Sequence, residues 1–76
     1  MQNLEENELH SVKFDTQHKT FFLDLKNSDN GKYLKISEKR FGKKTTVIIP
    51  EEGIDPLLKG ISEIKNKIES ESGTRE

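Results

Sequence analysis

The sequence has no cysteine and no long apolar run, and only 29% of its 76 residues are hydrophobic. Without cysteine the fold has no disulfide to strengthen it, and a chain of this size buries only ~60% of the surface that its unfolded form exposes. The core must therefore be thin, which makes association with a second copy a physical expectation. The acidic N-terminus and the missing apolar run argue against a signal peptide and a membrane span, and they predict a cytoplasmic protein.

Motifs for catalysis and for metal binding are also missing. His10 and His18 stand eight residues apart with no cysteine nearby. That spacing is poor for a metal site and favours ordinary surface or packing histidines. No Ser-His-carboxylate triad, glycine-rich phosphate loop or paired-carboxylate site can be argued from the sequence. We therefore expect neither an enzyme nor a cofactor.

The net charge of −1 conceals a basic central segment. Residues 1–18 carry four acids against one lysine, and residues 51–76 carry seven acids against four bases. Residues 19–50 show the reverse, with eight lysines and arginines against three acids. Because the local field attracts a polyanion more than the whole-chain charge does, the central segment is the candidate surface for a nucleic acid.

Four segments in the first fifty residues have the two-residue alternation that is typical of strands. They are residues 9–16, 19–27, 32–40 and 43–49. Residues 28–31 supply turn chemistry, with Gly31 at the position that needs a positive φ, and Phe41 and Gly42 form a second turn. Pro50 cannot donate to a sheet and ends the fourth strand. The pattern predicts a four-stranded antiparallel meander.

After Pro50 the apolar spacing becomes helical, and it predicts one C-terminal amphipathic helix. Two starts are open: Asp55 as the N-cap before Pro56, or a start one turn earlier at Glu51 and Glu52. The period is lost at about residue 69. The predicted fold class is α+β, with a single domain at residues 9–70 between flexible tails at residues 1–8 and 71–76. The apolar stripe consists of Ile54, Leu57, Leu58, Ile61, Ile64 and Ile68.

Such a sheet must bury one face under the helix and leave the other wet or available to a partner. The residues expected under the helix are Leu23, Leu25, Leu34 and Ile36. On the helix, we expect Ile54, Leu58 and Ile61 to pack against the chain's own sheet. The predicted dimer interface consists of Leu57, Ile64 and Ile68, together with Ile61 at the border between the two sets.

The opposite face combines the aromatic residues Phe22 and Tyr33 with Lys13, Lys26 and Lys35. Aromatic rings beside cations on the open face of a sheet stack bases and hold phosphates in many proteins. The alternative is that the rings pack in the core or the dimer and that the lysines only protect a solvated sheet. We favour binding, because acids are depleted where the lysines gather. The following turn adds Lys39, Arg40, Lys43 and Lys44.

Three ordered motifs resemble one repeat of the Pur-alpha (PUR-repeat) family, over residues 19–68. They are Phe-Phe-Leu-Asp-Leu-Lys at 21–26, Gly-Lys-Tyr-Leu-Lys-Ile-Ser-Glu at 31–38 and Gly-Lys-Lys-Thr-Thr-Val-Ile-Ile-Pro-Glu-Glu-Gly at 42–53. The resemblance implies a β-β-β-β-α PUR repeat, two of which intertwine into one PUR domain. Eukaryotic relatives carry several repeats in one chain. This chain resembles a single-repeat, bacterial-type member, so a homodimer would supply the second repeat.

The resemblance also implies binding of single-stranded DNA and RNA, with a preference for purine-rich strands and a role in regulating transcription. The family's basic hairpin pattern falls on residues 26–36, with Asn30 and Lys32 where the family often has arginine. Lysine lacks the bidentate fork of arginine, so contacts to the phosphate backbone are expected more than base-specific contacts. The predicted nucleic-acid-binding residues are Lys13, Phe22, Lys26, Asn27, Lys32, Tyr33, Lys35, Lys39, Arg40, Lys43 and Lys44.

A second function remains open from the sequence. The same dimeric fold would serve as a protein–protein interaction module, or as a transcriptional cofactor that makes no direct contact with nucleic acid. Salt separates the two hypotheses, because binding through phosphate contacts weakens steeply with salt concentration and binding through apolar contacts does not.

Overall fold

A computed structural model of the chain describes residues 8–73 and confirms four antiparallel strands followed by one helix. The sheet has the order β1-β2-β3-β4, and a 3-10 turn at Glu51–Gly53 joins it to the helix. Of the expected tails, residues 1–7 and 74–76 lie outside the described part, whereas residue 8 lies in β1 and residues 71–73 lie in α1. The elements are β1 (Glu8–Asp15), β2 (Thr20–Ser28), β3 (Gly31–Arg40), β4 (Lys43–Pro50) and α1 (Ile54–Gly73).

The turn between β2 and β3 follows the expected chemistry. The Ser28 hydroxyl donates to the carbonyl oxygen of Gly31 at 3.0 Å and accepts the backbone N–H of Asn30 at 3.3 Å. Gly31 has a φ of 121°, which side chains with a Cβ rarely adopt. The serine and the glycine together close this hairpin and fix the register of its two strands.

The α-helix starts at Ile54, between the two positions left open by the sequence, and a 3-10 turn precedes it. Pro50 ends β4 with a φ of −65°, and the 3-10 turn already contains Glu51 and Glu52. Asp55 lies in the first turn of α1, so its interpretation as the N-cap was wrong. The carboxylates of this first turn still face the positive end of the helix dipole.

The helix also continues to Gly73, beyond Ile68 where the apolar stripe ends. Lys65 and Glu69 form an ion pair one turn apart on this last section. Pairs at that spacing support helices by a few tenths of a kcal/mol. Loss of the apolar period therefore did not mark the end of the helix.

No hydrophobic side chain within residues 8–73 is fully buried. The first turns of α1 border an apolar groove of about 200 Å³, which contains Leu23, Leu34 and Ile36 from the sheet side. The groove confirms that this face of the sheet is the one next to the helix. Its helical lining consists of Ile54, Leu57, Leu58 and Ile61.

The apolar stripe of α1 is not divided between core and partner in the expected way. Leu57 is half-buried beside its own sheet, whereas Leu58 is 60% exposed. Ile61, Ile64 and Ile68 are also largely exposed. The far half of the helix therefore presents an apolar surface that the described chain does not cover.

The dimensions of the molecule are also those of an open structure without a buried core. Its radius of gyration is 15.7 Å, against about 11 Å for a compact domain of this length. Its extents are 56 × 31 × 16 Å, because α1 projects away from the sheet. No helix within residues 8–73 combines the length and the apolar character needed to cross a membrane.

Candidate nucleic-acid interface

The pairing register assigns each strand residue to one of two sheet faces, because successive side chains in a strand point to opposite sides. Leu23 pairs with Ile36, and Ile36 pairs with Val47, on the face that α1 borders. Lys26 pairs with Tyr33 on the opposite face. We call this opposite face the basic face. It carries seven of the predicted binding residues, namely Lys13, Phe22, Lys26, Tyr33, Lys35, Lys39 and Lys44.

The other four predicted residues belong by register to the helix side of the sheet. Asn27 pairs with Lys32 at one end of the sheet, and Arg40 pairs with Lys43 at the other. The eight steps from Lys32 to Arg40 span about 26 Å along β3. The structure therefore brings the predicted residues together as one open face with a cluster at each end, instead of as a single patch.

Two aromatic rings of the basic face are half-buried and keep an accessible surface. The Nζ of Lys13 lies 6.0 Å from the centroid of the Phe22 ring, at the outer limit of a cation–π contact. Tyr33 borders a cavity of about 270 Å³ between the β2–β3 turn and the end of β4. Lys32 lines this cavity, and so do the carboxylate residues Glu51 and Glu52. Phe22 therefore has the environment that base stacking next to a phosphate requires, whereas Tyr33 has one cation and two acids near it.

Acidic groups lie on only one half of the basic face. Asp24 accepts a hydrogen bond from the Ser11 hydroxyl at 2.5 Å, and Asp15 accepts one from the Thr20 hydroxyl at 2.7 Å. Both acids belong to the β1–β2 half. At the end of the same half, the Nζ of Lys26 lies 3.9 Å from a carboxylate oxygen of Glu8.

All the charged residues on the β3–β4 half of the basic face are lysines. By register it carries Lys35, Lys39 and Lys44 and no acid. None of these lysines forms an ion pair within residues 8–73. A polyanion approaching Lys39 and Lys44 meets charge that no acid directly opposite on a neighbouring strand offsets. Lys35 has Asp24 directly opposite it on β2, and the attraction of Lys13 and Lys26 is also partly cancelled.

The centre of the basic face contains a residue that sequence reasoning missed. Ser37 is only 1% exposed and is the one fully buried side chain among residues 8–73. It lies between Phe22 on β2 and Thr46 on β4, and its hydroxyl is 3.3 Å from the Thr46 hydroxyl. A small side chain here lets its larger neighbours close over the strand. The pair of hydroxyls therefore ties β3 to β4 beneath the cationic half.

The histidines are placed far from any metal-binding geometry. His10 lies on β1 opposite Leu25, and His18 lies in the loop before β2. Within residues 8–73 no three His, Cys, Asp or Glu side chains come close enough to hold a metal ion. The chemistry that the described side chains offer is therefore charge, hydrogen bonding and aromatic surface.

Comparisons with known proteins match nearly the whole chain. The model of the family described as PurA ssDNA and RNA-binding protein matches residues 3–72. A curated relative, Transcription factor Pur-alpha 1 of Arabidopsis thaliana, is 39% identical over 69 residues. Those residues cover 91% of this chain and 23% of the relative, so the chain spans about a quarter of the relative's length.

Proposed function

The chain belongs to the PurA family of single-stranded DNA- and RNA-binding proteins, and from this premise we propose that it binds single-stranded DNA and RNA as a homodimer. The observation that carries the proposal is the β3–β4 half of the basic face. Lys35, Lys39 and Lys44 lie there with no acid on β3 or β4, although Asp24 of β2 is directly opposite Lys35. The half-buried Tyr33 lies two residues before Lys35 on the same face. The lysines neutralise phosphates, while Tyr33 and Phe22 offer rings to the bases.

The homodimer is supported by the uncovered apolar stripe of α1. Ile64 and Ile68 extend beyond the groove that the helix shares with its own sheet, and Ile61, which lines the groove, is still 53% exposed. The sheet carries further exposed apolar residues on the same face, including Val12, Phe14 and Val47. In a dimer, the apolar stripe of each helix would be covered by the exposed apolar face of the partner's sheet. Exchange of the helices between two copies would cover both surfaces.

Two finer features of the proposal rest on the family. A preference for purine-rich strands follows the resemblance to Pur-alpha proteins, and the larger rings of purines offer more area to Tyr33 and Phe22. A role in transcription follows the relative that is named a transcription factor. We propose that this protein regulates transcription by holding single-stranded segments.

The proposal is tested by removing two lysines from the basic face. In the variant Lys35→Ala/Lys39→Ala, the salt dependence of single-strand binding should flatten by about 1.4 in slope, since about 0.7 counterions are released per phosphate contacted. Binding should weaken alike for all sequences. Fluorescence anisotropy of a labelled oligonucleotide at several salt concentrations measures both effects.

The matched control removes the same charge from the helix. Lys59→Ala/Lys67→Ala lowers the net charge equally but lies away from the sheet, so its salt slope should equal that of the wild type. Equal slopes for the two double variants would place the nucleic acid elsewhere. A wild-type dimer that binds neither single-stranded DNA nor RNA would contradict the proposal and favour the protein-interaction module instead.

A further inference from the structure

The turn between β3 and β4 has a backbone that its sequence does not favour. Arg40 and Lys43 pair across it, and Phe41 and Gly42 are its two central residues. Their φ values are 51° and 80°, so both residues are left-handed. Two-residue hairpin turns of this kind favour Asn-Gly, because asparagine enters the left-handed region far more easily than phenylalanine. The chain keeps a phenylalanine where asparagine would be less strained.

The Phe41 ring contributes little to the fold of the described chain. It is 84% exposed, the most exposed of the large hydrophobic side chains in residues 8–73. The Arg40 guanidinium carbon lies 4.8 Å from the ring centroid. This cation covers one side of the ring and leaves the other side open. A strained backbone that holds an aromatic ring in solvent is typical of a binding position.

The charges around this turn indicate the ligand. Lys39, Arg40, Lys43 and Lys44 form no ion pair within residues 8–73, and the nearby acid Glu38 is paired with Lys19 at 2.8 Å. A cavity of about 420 Å³ lies between the ring and the adjacent strands. Four neighbouring cations attract a polyanion, and an exposed aromatic ring can stack on a planar group. A single-stranded nucleic acid supplies both.

We propose that the β3–β4 turn is a second contact for the single strand, in which Phe41 stacks on a nucleobase while the four cations hold the flanking phosphates. This inference rests on the proposed function. Phe41 follows the last residue of β3 and lies eight residues after Tyr33, a span of about 26 Å. Only a strand long enough to cross the sheet reaches both rings, so the turn determines the length of strand that binds best.

Phe41→Asn in the full chain separates stacking from folding, because the two effects have opposite signs. Relief of the strained backbone should raise the unfolding temperature, by about 4–8 °C for a chain of this size. Loss of the ring should weaken binding of an oligonucleotide of about 12 nucleotides by about 5- to 150-fold. An oligonucleotide of about 4 nucleotides, which is at the lower end of known site sizes, should bind to Phe41→Asn as tightly as it binds to wild type.

Two further variants control the interpretation. Phe41→Tyr keeps the ring and should retain the wild-type affinity for the long oligonucleotide. Phe41→Gly removes the ring and also tolerates a positive φ, so it should repeat the affinity loss even if the asparagine variant folds poorly. Neither substitution changes charge, so the salt slope should stay at the wild-type value.

The outcomes distinguish this inference from the proposed function. Failure of the wild type to bind any single strand contradicts the proposed function. Wild-type binding that Phe41→Asn and Phe41→Gly leave unchanged overturns only the inference about the turn. Loss of the dimer mass in sedimentation of either variant would show that Phe41 packs between copies, which also overturns it. Polyglutamate also serves as a competitor for the long oligonucleotide. If it displaces the oligonucleotide equally well from wild type and from Phe41→Asn, the inference is overturned, because the ring then has no part in recognition.

Discussion

Replacing Ile64 by alanine should weaken self-association strongly while leaving the sheet intact. Ile64 lies on the part of α1 that projects beyond the groove, and it is 63% exposed in the single chain. In the proposed homodimer this exposed fraction becomes buried against the partner. The variant therefore removes an interaction that exists only between copies.

The magnitude follows from the exposed fraction. Full burial of an isoleucine side chain is worth roughly 1.5–3 kcal/mol, so burial of the exposed part is worth about 1–2 kcal/mol. A dimer loses this twice, once for each copy, or about 2–4 kcal/mol. Since each 1.4 kcal/mol is tenfold in affinity, the dimer Kd should rise roughly 30- to 700-fold.

Sedimentation equilibrium over a concentration series measures this Kd directly. Wild type at micromolar concentration should show about twice the 8.8 kDa mass of the chain, and Ile64→Ala should shift towards the single mass. Ile48→Ala is the matched control. Ile48 is 51% exposed but lies on the basic face, so its removal should not change the mass. A wild type that unfolds cooperatively as a monomer, or an Ile64 variant with unchanged Kd, would refute the reasoning.

Further predictions concern the β2–β3 hairpin and, as a comparison, one glycine of α1. Tyr33→Ala should cost roughly 1–3 kcal/mol of single-strand affinity with an unchanged salt slope, because the ring supplies a stacking surface and no charge. Tyr33→Phe should bind as tightly as wild type. If the alanine variant unfolds the dimer, Tyr33 is a packing residue instead. Gly31→Ala should destabilise the protein by about 1–3 kcal/mol in urea unfolding, because the φ of 121° is unsuited to a Cβ. Gly60→Ala, where an added Cβ meets nothing within 4 Å, should instead stabilise the helix by up to about 1 kcal/mol, and a reversal of these signs would contradict the backbone argument.

Local features of the fold were predictable from the sequence. The alternation of the strands, the serine and glycine of the β2–β3 turn and the apolar stripe each act over a few neighbouring residues. The predicted strands therefore begin and end within one residue of those observed. The end of the helix was not predictable from the stripe, because the pair of Lys65 and Glu69 supports the helix beyond the last apolar position.

Features that depend on three strands at once were not predictable. Burial of Ser37 requires Phe22 and Thr46 on the neighbouring strands, and the local sequence of β3 does not specify either partner. The alternation did predict which residues share the basic face, but the placement of Asn27, Lys32, Arg40 and Lys43 on the helix side became visible only in the register. The left-handed backbone of Phe41 runs against its own propensity, so a pattern based on propensity identifies a turn there but not its type.

The projecting helix makes the stability of the fold depend on the concentration of the protein. In the proposed dimer, the stripe around Ile64 is covered only when two chains meet, so stability grows with chain concentration. At low expression the single chains expose an apolar helix and are open to proteases. The population of binding-competent protein then rises more steeply than the rate of synthesis. If the proposed dimer forms, binding would therefore have a threshold concentration, below which the single chains would be degraded before they pair.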